Sequence, residues 1–365
     1  MRWSSAVWFA LFSWVSVAQT VQAQESNPPQ RVPTSVGIYD VKSPDEIHKF
    51  SSRDIRKLVQ MEGKRPQGAN TVPHPVLVYC FDERFFWYTG GKYQNTEIKY
   101  RLHTPKTIRF GRKYPLIVHL HGTGEAGSNN TTSLVHLHSA LPVMIGPERQ
   151  DFFMLVVQCP SETPGWSFRP AKDGTLDVLM AAIEHVVAEN SIDKRRIAVT
   201  GISSGGWGTW ELIMKYPAMF SGAVPIACGA PSQQQRMASL KTTPVWAFAN
   251  RGEIDSGKVN AESVHAAIRV INRSGGSMAF TVPNHGRNAR KPAMEGYFRW
   301  MLAQKRGSWF APPPGIFVYN SPYSLPLVPV MYVLPFAIIV FFAWERICEL
   351  FSIMYQSVQK WDSRF

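Results

Sequence analysis

Arg196-Ile-Ala-Val-Thr200 runs directly into Gly201-Ile202-Ser203-Ser204-Gly205-Gly206, and Trp207-Gly-Thr-Trp-Glu-Leu-Ile-Met-Lys215 follows. The first piece is a short apolar, β-type run with the length of a buried strand; the last has helical spacing and continues from Gly206. Between them stands G-x-S-x-G, a turn so sharp that only glycines fit beside the central residue. On its own this pentapeptide occurs in many glycine-rich turns. Set between a buried strand and a helix, it holds the Ser203 hydroxyl at the carboxyl end of a sheet with a helix N-terminus behind it.

Working outward, the same texture repeats. Leu116 to Leu120, Phe152 to Gln158, Ala223 to Ala227, Val245 to Ala249 and Ala279 to Val282 read as strands buried on both faces. Helical patterns lie between them at Thr175 to Glu189, Gly206 to Lys215, Ala261 to Asn272 and Ala293 to Lys305. This alternation predicts a mostly parallel α/β sheet with helices on both faces. Val76 to Tyr79, Phe85 to Tyr88 and Glu97 to Leu102 are β-rich and broken by Gly90-Gly91 and Gln94-Asn95, which predicts an antiparallel opening meander on one edge.

Two further pieces suit the chemistry of an activated serine. Leu116 to Leu120 ends in His121-Gly122-Thr123-Gly124-Glu125, a glycine-rich turn where backbone N–H groups can meet an oxyanion; the expected donors are the N–H of Thr123 and of Ser204. Gly122 and Gly124 would line the substrate side of that turn. His119 and His121 have no carboxylate or cysteine at ligand spacing, so no metal is expected and His121 reads as a support for the turn. On such a sheet an acid and then a histidine follow the serine. Of the two later histidines, His265 sits in an amphipathic helix, whereas His285 lies in the loop Pro283-Asn284-His285-Gly286 after a strand. After Val245 to Ala249, the loop Asn250-Arg251-Gly252-Glu253-Ile254-Asp255 offers two carboxylates for orienting it.

These residues resemble the secreted α/β-hydrolases of the predicted-peptidase and esterase family, related to polyhydroxyalkanoate-depolymerase-like and feruloyl-esterase-like enzymes. The resemblance runs roughly from Tyr88 to Arg306. It rests on Lys99-Tyr100-Arg101-Leu102, Tyr114-Pro115-Leu116-Ile117 leading to HGTGE, Gln158-Cys159-Pro160 with Thr163-Pro164-Gly165-Trp166, GISSGGWGTWE, and Pro244-Val245-Trp246-Ala247-Phe248. It implies an α/β-hydrolase fold without cofactor, Ser203 as nucleophile, His285 as base and Trp166 as a wall of the cleft. The family's His-Gly-x-x-Asp after the seventh strand is altered here. Glu253 fits the position of the acid and Asp255 fits its residue type, with Glu253 preferred. The expected activity is a serine hydrolase cleaving an ester, or second an amide as a peptidase would, through an acyl-enzyme. The alternative class is a non-catalytic envelope- or carbohydrate-binding module on the same fold, supported only by the altered acid loop.

The two ends address a membrane. Met1-Arg2, the apolar run Ala6 to Val17 and the small-residue site Val21-Gln22-Ala23 read as a signal peptide over residues 1–23, with an uncleaved anchor as the alternative. Residues 24–75 read as a spacer with a short helix, 76–310 as the hydrolase domain and 311–324 as a proline-rich linker. Leu325 to Trp344 is uncharged, and twenty residues at about 1.5 Å each match a hydrocarbon core of roughly 30 Å. Residues 345–365 would then be a cytoplasmic tail and the domain extracytoplasmic, periplasmic or at the cell surface; the alternative is an apolar tail folded onto the domain.

With 39 Lys and Arg against 26 Asp and Glu, the chain carries a net charge of +13. A basic surface suits anionic lipid or acidic envelope polymers, with a generic basic surface the preferred reading, while the absence of a zinc-finger, RNP or helix-turn-helix signature argues against nucleic acid. At 45% hydrophobic and 18% charged, the chain is neither disordered nor polytopic. Four scattered cysteines exclude a disulfide scaffold, so packing must supply the stability. Asn129-Asn130-Thr131-Thr132 and Asn272-Arg273-Ser274 match the glycosylation sequon.

Overall fold

The computed structural model describes residues 51–307, except 52, 56, 58–72, 74, 94, 147–148, 161–165, 167–174, 250–253, 255–256, 258 and 283–289. The expected signal peptide, linker, membrane span and tail lie outside the described residues, as do His285, Glu253, Asp255 and Cys348. Among the described residues no helix is long and apolar enough to cross a membrane.

Eight strands make one sheet: β1 (Asp82–Tyr88), β2 (Thr96–His103), β3 (Tyr114–Leu120), β4 (Phe153–Val157), β5 (Ile192–Ile202), β6 (Gly222–Ile226), β7 (Val245–Phe248) and β8 (Met278–Thr281). Their order is β1-β2-β4-β3-β5-β6-β7-β8. β2 is antiparallel to both β1 and β4, and every pairing from β4 to β8 is parallel. The helices in chain order are α1 (Pro75–Tyr79), α2 (Leu141–Met144), α3 (Thr175–Glu189), α4 (Ser204–Lys215), α5 (Gln234–Ala238), α6 (Ala261–Arg273) and α7 (Arg290–Ala303).

One expected strand is a helix. Val76 to Tyr79 was expected in the opening meander, yet it forms most of α1, in which Val76 and Leu77 are buried. A proline at the first helical position has its φ already set and no N–H to satisfy, which favours a helical turn there. A four-residue apolar run carries too little periodicity to separate the two states.

Side-chain alternation splits the core between the two faces of the sheet. Leu116, Val118, Leu120, Ile197 and Val199 join the residues of α3, α4 and α6 in one buried cluster. Burial of a Leu, Ile or Val side chain contributes about 1.5–3 kcal/mol, which makes the cluster the main source of stability. On the opposite face α7 brings Trp300 edge-on to Trp246 at 5.6 Å between ring centroids and Tyr297 to 5.8 Å from Phe248. The Trp246 indole N–H donates to Thr281 Oγ1 at 2.9 Å, so the buried ring keeps its polar atom satisfied. Among the described residues Cys80, Cys159 and Cys228 form no disulfide with one another.

Candidate active site

β3 and β5 are neighbours, with Leu120 opposite Gly201, so the turns that follow them emerge side by side at the carboxyl end of the sheet. Ser203 stands between β5 and α4 with φ 55° and ψ −114°, a conformation that L residues with a side chain avoid. Two backbone bonds hold it there: Ser203 N–H donates to Ile226 O at 2.9 Å, and Trp207 N–H donates to Ser203 O at 3.1 Å. The side chain is exposed, whereas Ser204, Gly205 and Gly206 around it are buried.

The flanking glycines are dictated by contact. A Cβ on Gly205 would sit 2.1 Å from Leu120 O and 2.6 Å from His121 O, and one on Gly201 would sit 2.3 Å from Gly205 O. The elbow therefore presses backbone to backbone against the end of β3, and no side chain fits between them.

The turn after β3 is a short 3-10 helix, Thr123–Glu125. Thr123 is its first residue, as Ser204 is the first of α4, so neither N–H has an acceptor within its own helix. The sequence reading assigns these two N–H groups to an oxyanion. Thr123 and Gly124 are exposed while Gly122 is buried. Two such N–H groups beside an exposed hydroxyl form an arrangement that can stabilise an oxyanion.

His121 fixes this turn from below. It is 1% exposed, its Nδ1 donates to Gly122 O at 2.6 Å, and its Nε2 accepts from Cys159 N–H at 2.9 Å. Burial pushes its pKa down, so the ring is neutral with both nitrogens engaged. Among the described residues no group of three His, Cys, Asp or Glu could hold a metal ion. Trp166 lies behind the turn, 1% exposed, with its ring 5.2 Å from His121 and its Cβ against Gly208.

Sequence reasoning missed a buried polar network that anchors the turn. The Gln158 amide N–H₂ group donates to Glu125 O at 3.0 Å and to Thr132 Oγ1 at 2.9 Å, and its Oε1 accepts from Asn130 N–H at 2.5 Å. Arg101 Nε donates to Asn130 O at 2.5 Å, and the Asn130 amide donates to Tyr100 O at 3.0 Å. Asn130 is fully buried with its amide N–H₂ engaged inside the protein, so of the two overlapping sequons only the one that begins at the exposed Asn129 presents its asparagine to solvent. Glu125, also buried, accepts from His136 Nε2 at 3.1 Å. Burial alone would push its carboxyl up, but the hydrogen bond from His136 and the Gly122 backbone together hold it below the ordinary value. The available signal was Glu125 within HGTGE and Gln158 at a strand end, both polar residues in apolar surroundings.

β7 and β8 deliver the chain to the same carboxyl end immediately before the segments that contain Glu253, Asp255 and His285. The structure therefore brings Ser203, Ser204, Gly122, Thr123 and Gly124 together, with Trp166 beneath them.

The prolyl oligopeptidase family model matches residues 166–257, less than half of the chain. A poly(3-hydroxyalkanoate) depolymerase C from Paucimonas lemoignei is 34% identical over 79 residues, 19% of each protein. A thermostable esterase of known structure is 28% identical with a TM-score of 0.53, covering 63% of this chain and 64% of that one. An acylaminoacyl peptidase from Pyrococcus horikoshii is 13% identical with a TM-score of 0.48, covering 64% of this chain and 43% of that one. The chain thus spans less than two thirds of each of these relatives. With its sheet order and elbow, it has the α/β-hydrolase fold of the kind that esterases and peptidases share.

Proposed function

We propose that this α/β-hydrolase is a serine hydrolase that cleaves carboxylic esters through an acyl-enzyme, with its domain outside the membrane and residues 325–344 as the tether. The observation that carries the reading is the strained, exposed Ser203 between two helix-initiating N–H groups, those of Ser204 and Thr123. A left-handed φ on a serine costs of order 1–3 kcal/mol and persists where the surrounding structure over-determines it.

In this reading Ser203 Oγ attacks the acyl carbon while His285 takes its proton, and the oxyanion forms toward the N–H groups of Thr123 and Ser204. His285 then protonates the leaving alcohol. Water, deprotonated by the same imidazole, releases the acid and restores Ser203. Glu253, or Asp255 in its place, orients the imidazole. An ester ranks ahead of an amide because the esterase is the solved neighbour with both the higher identity and a TM-score above 0.5. The prolyl oligopeptidase match keeps peptide bonds as the second substrate class.

Fluorophosphonate labelling followed by peptide mapping tests this. Ser203 should be the one labelled serine, and His285→Ala should abolish labelling. Ser203→Ala should lower kcat on short acyl esters by roughly 10⁶ while the fold stays intact. A folded wild-type chain that resists the probe and cleaves no ester, acetylated sugar, feruloyl ester or peptide would instead favour the binding-module reading.

A further inference from the structure

The end of the sheet opposite Ser203 carries a loop built differently from the rest of the surface. Because β2 runs against β4, the chain leaves β2 at the amino end of the parallel strands and returns through residues 104–113 to β3. This segment, Thr-Pro-Lys-Thr-Ile-Arg-Phe-Gly-Arg-Lys, holds four basic residues and no acid. At its tip Phe110 is fully exposed (109%) and Ile108 is 49% exposed, two of the four large apolar residues that stand out among the described residues.

The loop is held in this shape. Tyr114 is buried at the start of β3, and its hydroxyl accepts from Arg109 N–H at 2.9 Å and donates to Thr107 O at 3.2 Å. The Arg112 guanidinium lies 4.9 Å over the same ring, and its only described carboxylate partner is the half-buried Asp151 at 3.7 Å. Ile108 and Phe110 are thus presented outward on a fixed turn, ringed by the exposed Lys106, Arg109 and Lys113.

The neighbouring surface continues the charge. Tyr114 N–H donates to Ser191 O at 2.8 Å, which sets the loop beside the start of β5, where Lys194 and Arg195 are exposed. The C-terminus of the domain docks at the same place: Arg306 N–H donates to Arg195 O at 2.8 Å, and Arg195 Nη2 donates to Arg306 O at 2.7 Å. From there the sequence proceeds to the uncharged, apolar stretch Leu325 to Trp344.

We propose that the 104–113 loop is a second membrane contact. Ile108 and Phe110 enter the headgroup region of an anionic bilayer, the surrounding Lys and Arg side chains pair with lipid phosphates, and Ser203 faces away from the membrane. Apolar tips flanked by cations match the two attractions an anionic interface offers, burial of apolar surface and Coulombic pull. The exit of the chain at Arg306 lies on the side that a C-terminal tether would hold nearest the lipid. The proposal deepens the tether reading, on which its geometry rests.

The test uses the full chain carrying Cys348→Ala, reconstituted into phosphatidylcholine vesicles with and without phosphatidylglycerol. A nitroxide is placed at Phe110→Cys or, as a reference beside the oxyanion turn, at the exposed Ser128→Cys; unlabelled-site background is read from the chain without an added cysteine. With anionic lipid, the label at 110 should collide several-fold more with oxygen and several-fold less with a water-soluble nickel chelate than the label at 128. Lys106→Glu with Arg109→Glu should reverse the shift without loss of ester hydrolysis in detergent. A carbonate wash separates the two readings. A chain that resists extraction while the label at 110 stays as water-accessible as that at 128 overturns the loop contact and leaves the tether. A chain that is extracted by carbonate, yet before the wash shows the 110 label immersed, supports the loop and removes the tether. Absence of binding removes both. A label at 110 shielded from oxygen and nickel alike would mean a protein partner or a second copy, which also overturns the proposal.

Discussion

Ser203 holds an unfavourable backbone angle because its neighbours leave it no other. The Ile226 carbonyl takes its N–H, and backbone-to-backbone contact at Gly205 leaves no room for the turn to relax. Gly205→Ala should therefore lose at least about 1–3 kcal/mol, the range for overpacking a close contact, since Leu120 O belongs to the central strand and cannot yield. Thermal unfolding measures this, and a melting temperature equal to that of the wild type would mean the contact is not tight. Glu125→Gln keeps the shape of the side chain and removes the charge that faces His136 and Gly122. It should lower kcat about tenfold or more, with KM little changed, if the turn it supports serves the transition state. For the acid, Glu253→Gln should cost up to about 10⁴ in kcat and Asp255→Asn far less; the reverse ranking would move the role to Asp255.

Among elements, the turn after β3 depends on side chains from strands it does not follow. Gln158 at the end of β4 and Arg101 on β2 tie residues 125–132 to the sheet through buried bonds. Gln158→Ala takes away the acceptor of the Asn130 N–H, while the Glu125 carbonyl keeps its bond from the Thr132 hydroxyl, and a buried polar group stranded in this way costs about 1–3 kcal/mol. Urea unfolding should show a loss in that range, accompanied by a fall in ester turnover. A silent variant would mean that water replaces the amide.

The strands and the four long helices were legible because continuous apolar runs and 3.6-residue patterns alternate at regular intervals, and the elbow because glycines flank a serine between them. The network was not legible, because Arg101, Asn130 and Gln158 are distant in sequence and meet only through the antiparallel placement of β2 beside β4. α1 is not legible as a helix because a run as short as Val76 to Tyr79 has no resolvable period. Glu125 was visible as part of the turn, but its pairing with His136 depends on the fold of residues 126–136.

The whole molecule carries its positive charge with several histidines kept neutral inside it, and this sets its response to acid. His119 on β3 is 2% exposed, and neither ring nitrogen has a hydrogen-bond partner among the described residues. Burial, with His121 and His136 nearby, pushes its pKa down to about 3. His103, packed against Phe81 and Phe152, is pushed down to about 4, again by burial first. Both values lie below the ordinary 6.5, so across the interval between them the unfolded chain binds protons that the folded chain refuses. Stability is then full above about pH 6.5 and falls as the pH drops, by about 1.4 kcal/mol per pH unit for each such histidine. Acidification from pH 6.5 to 5 should cost about 2 kcal/mol through His119 alone. The Glu125 carboxylate, held below its ordinary value, loses its contribution only at lower pH, so the two effects separate. His119→Leu removes the titrating ring and the two unpartnered nitrogens while keeping an apolar side chain under α7. Urea unfolding of the wild type at pH 7.5 and 5.0 should show the larger difference, and the variant should recover about 2 kcal/mol of it. If both proteins lose stability in parallel, His119 is hydrated or partnered in solution, and the acid sensitivity belongs to the remaining histidines and to self-repulsion of the basic surface.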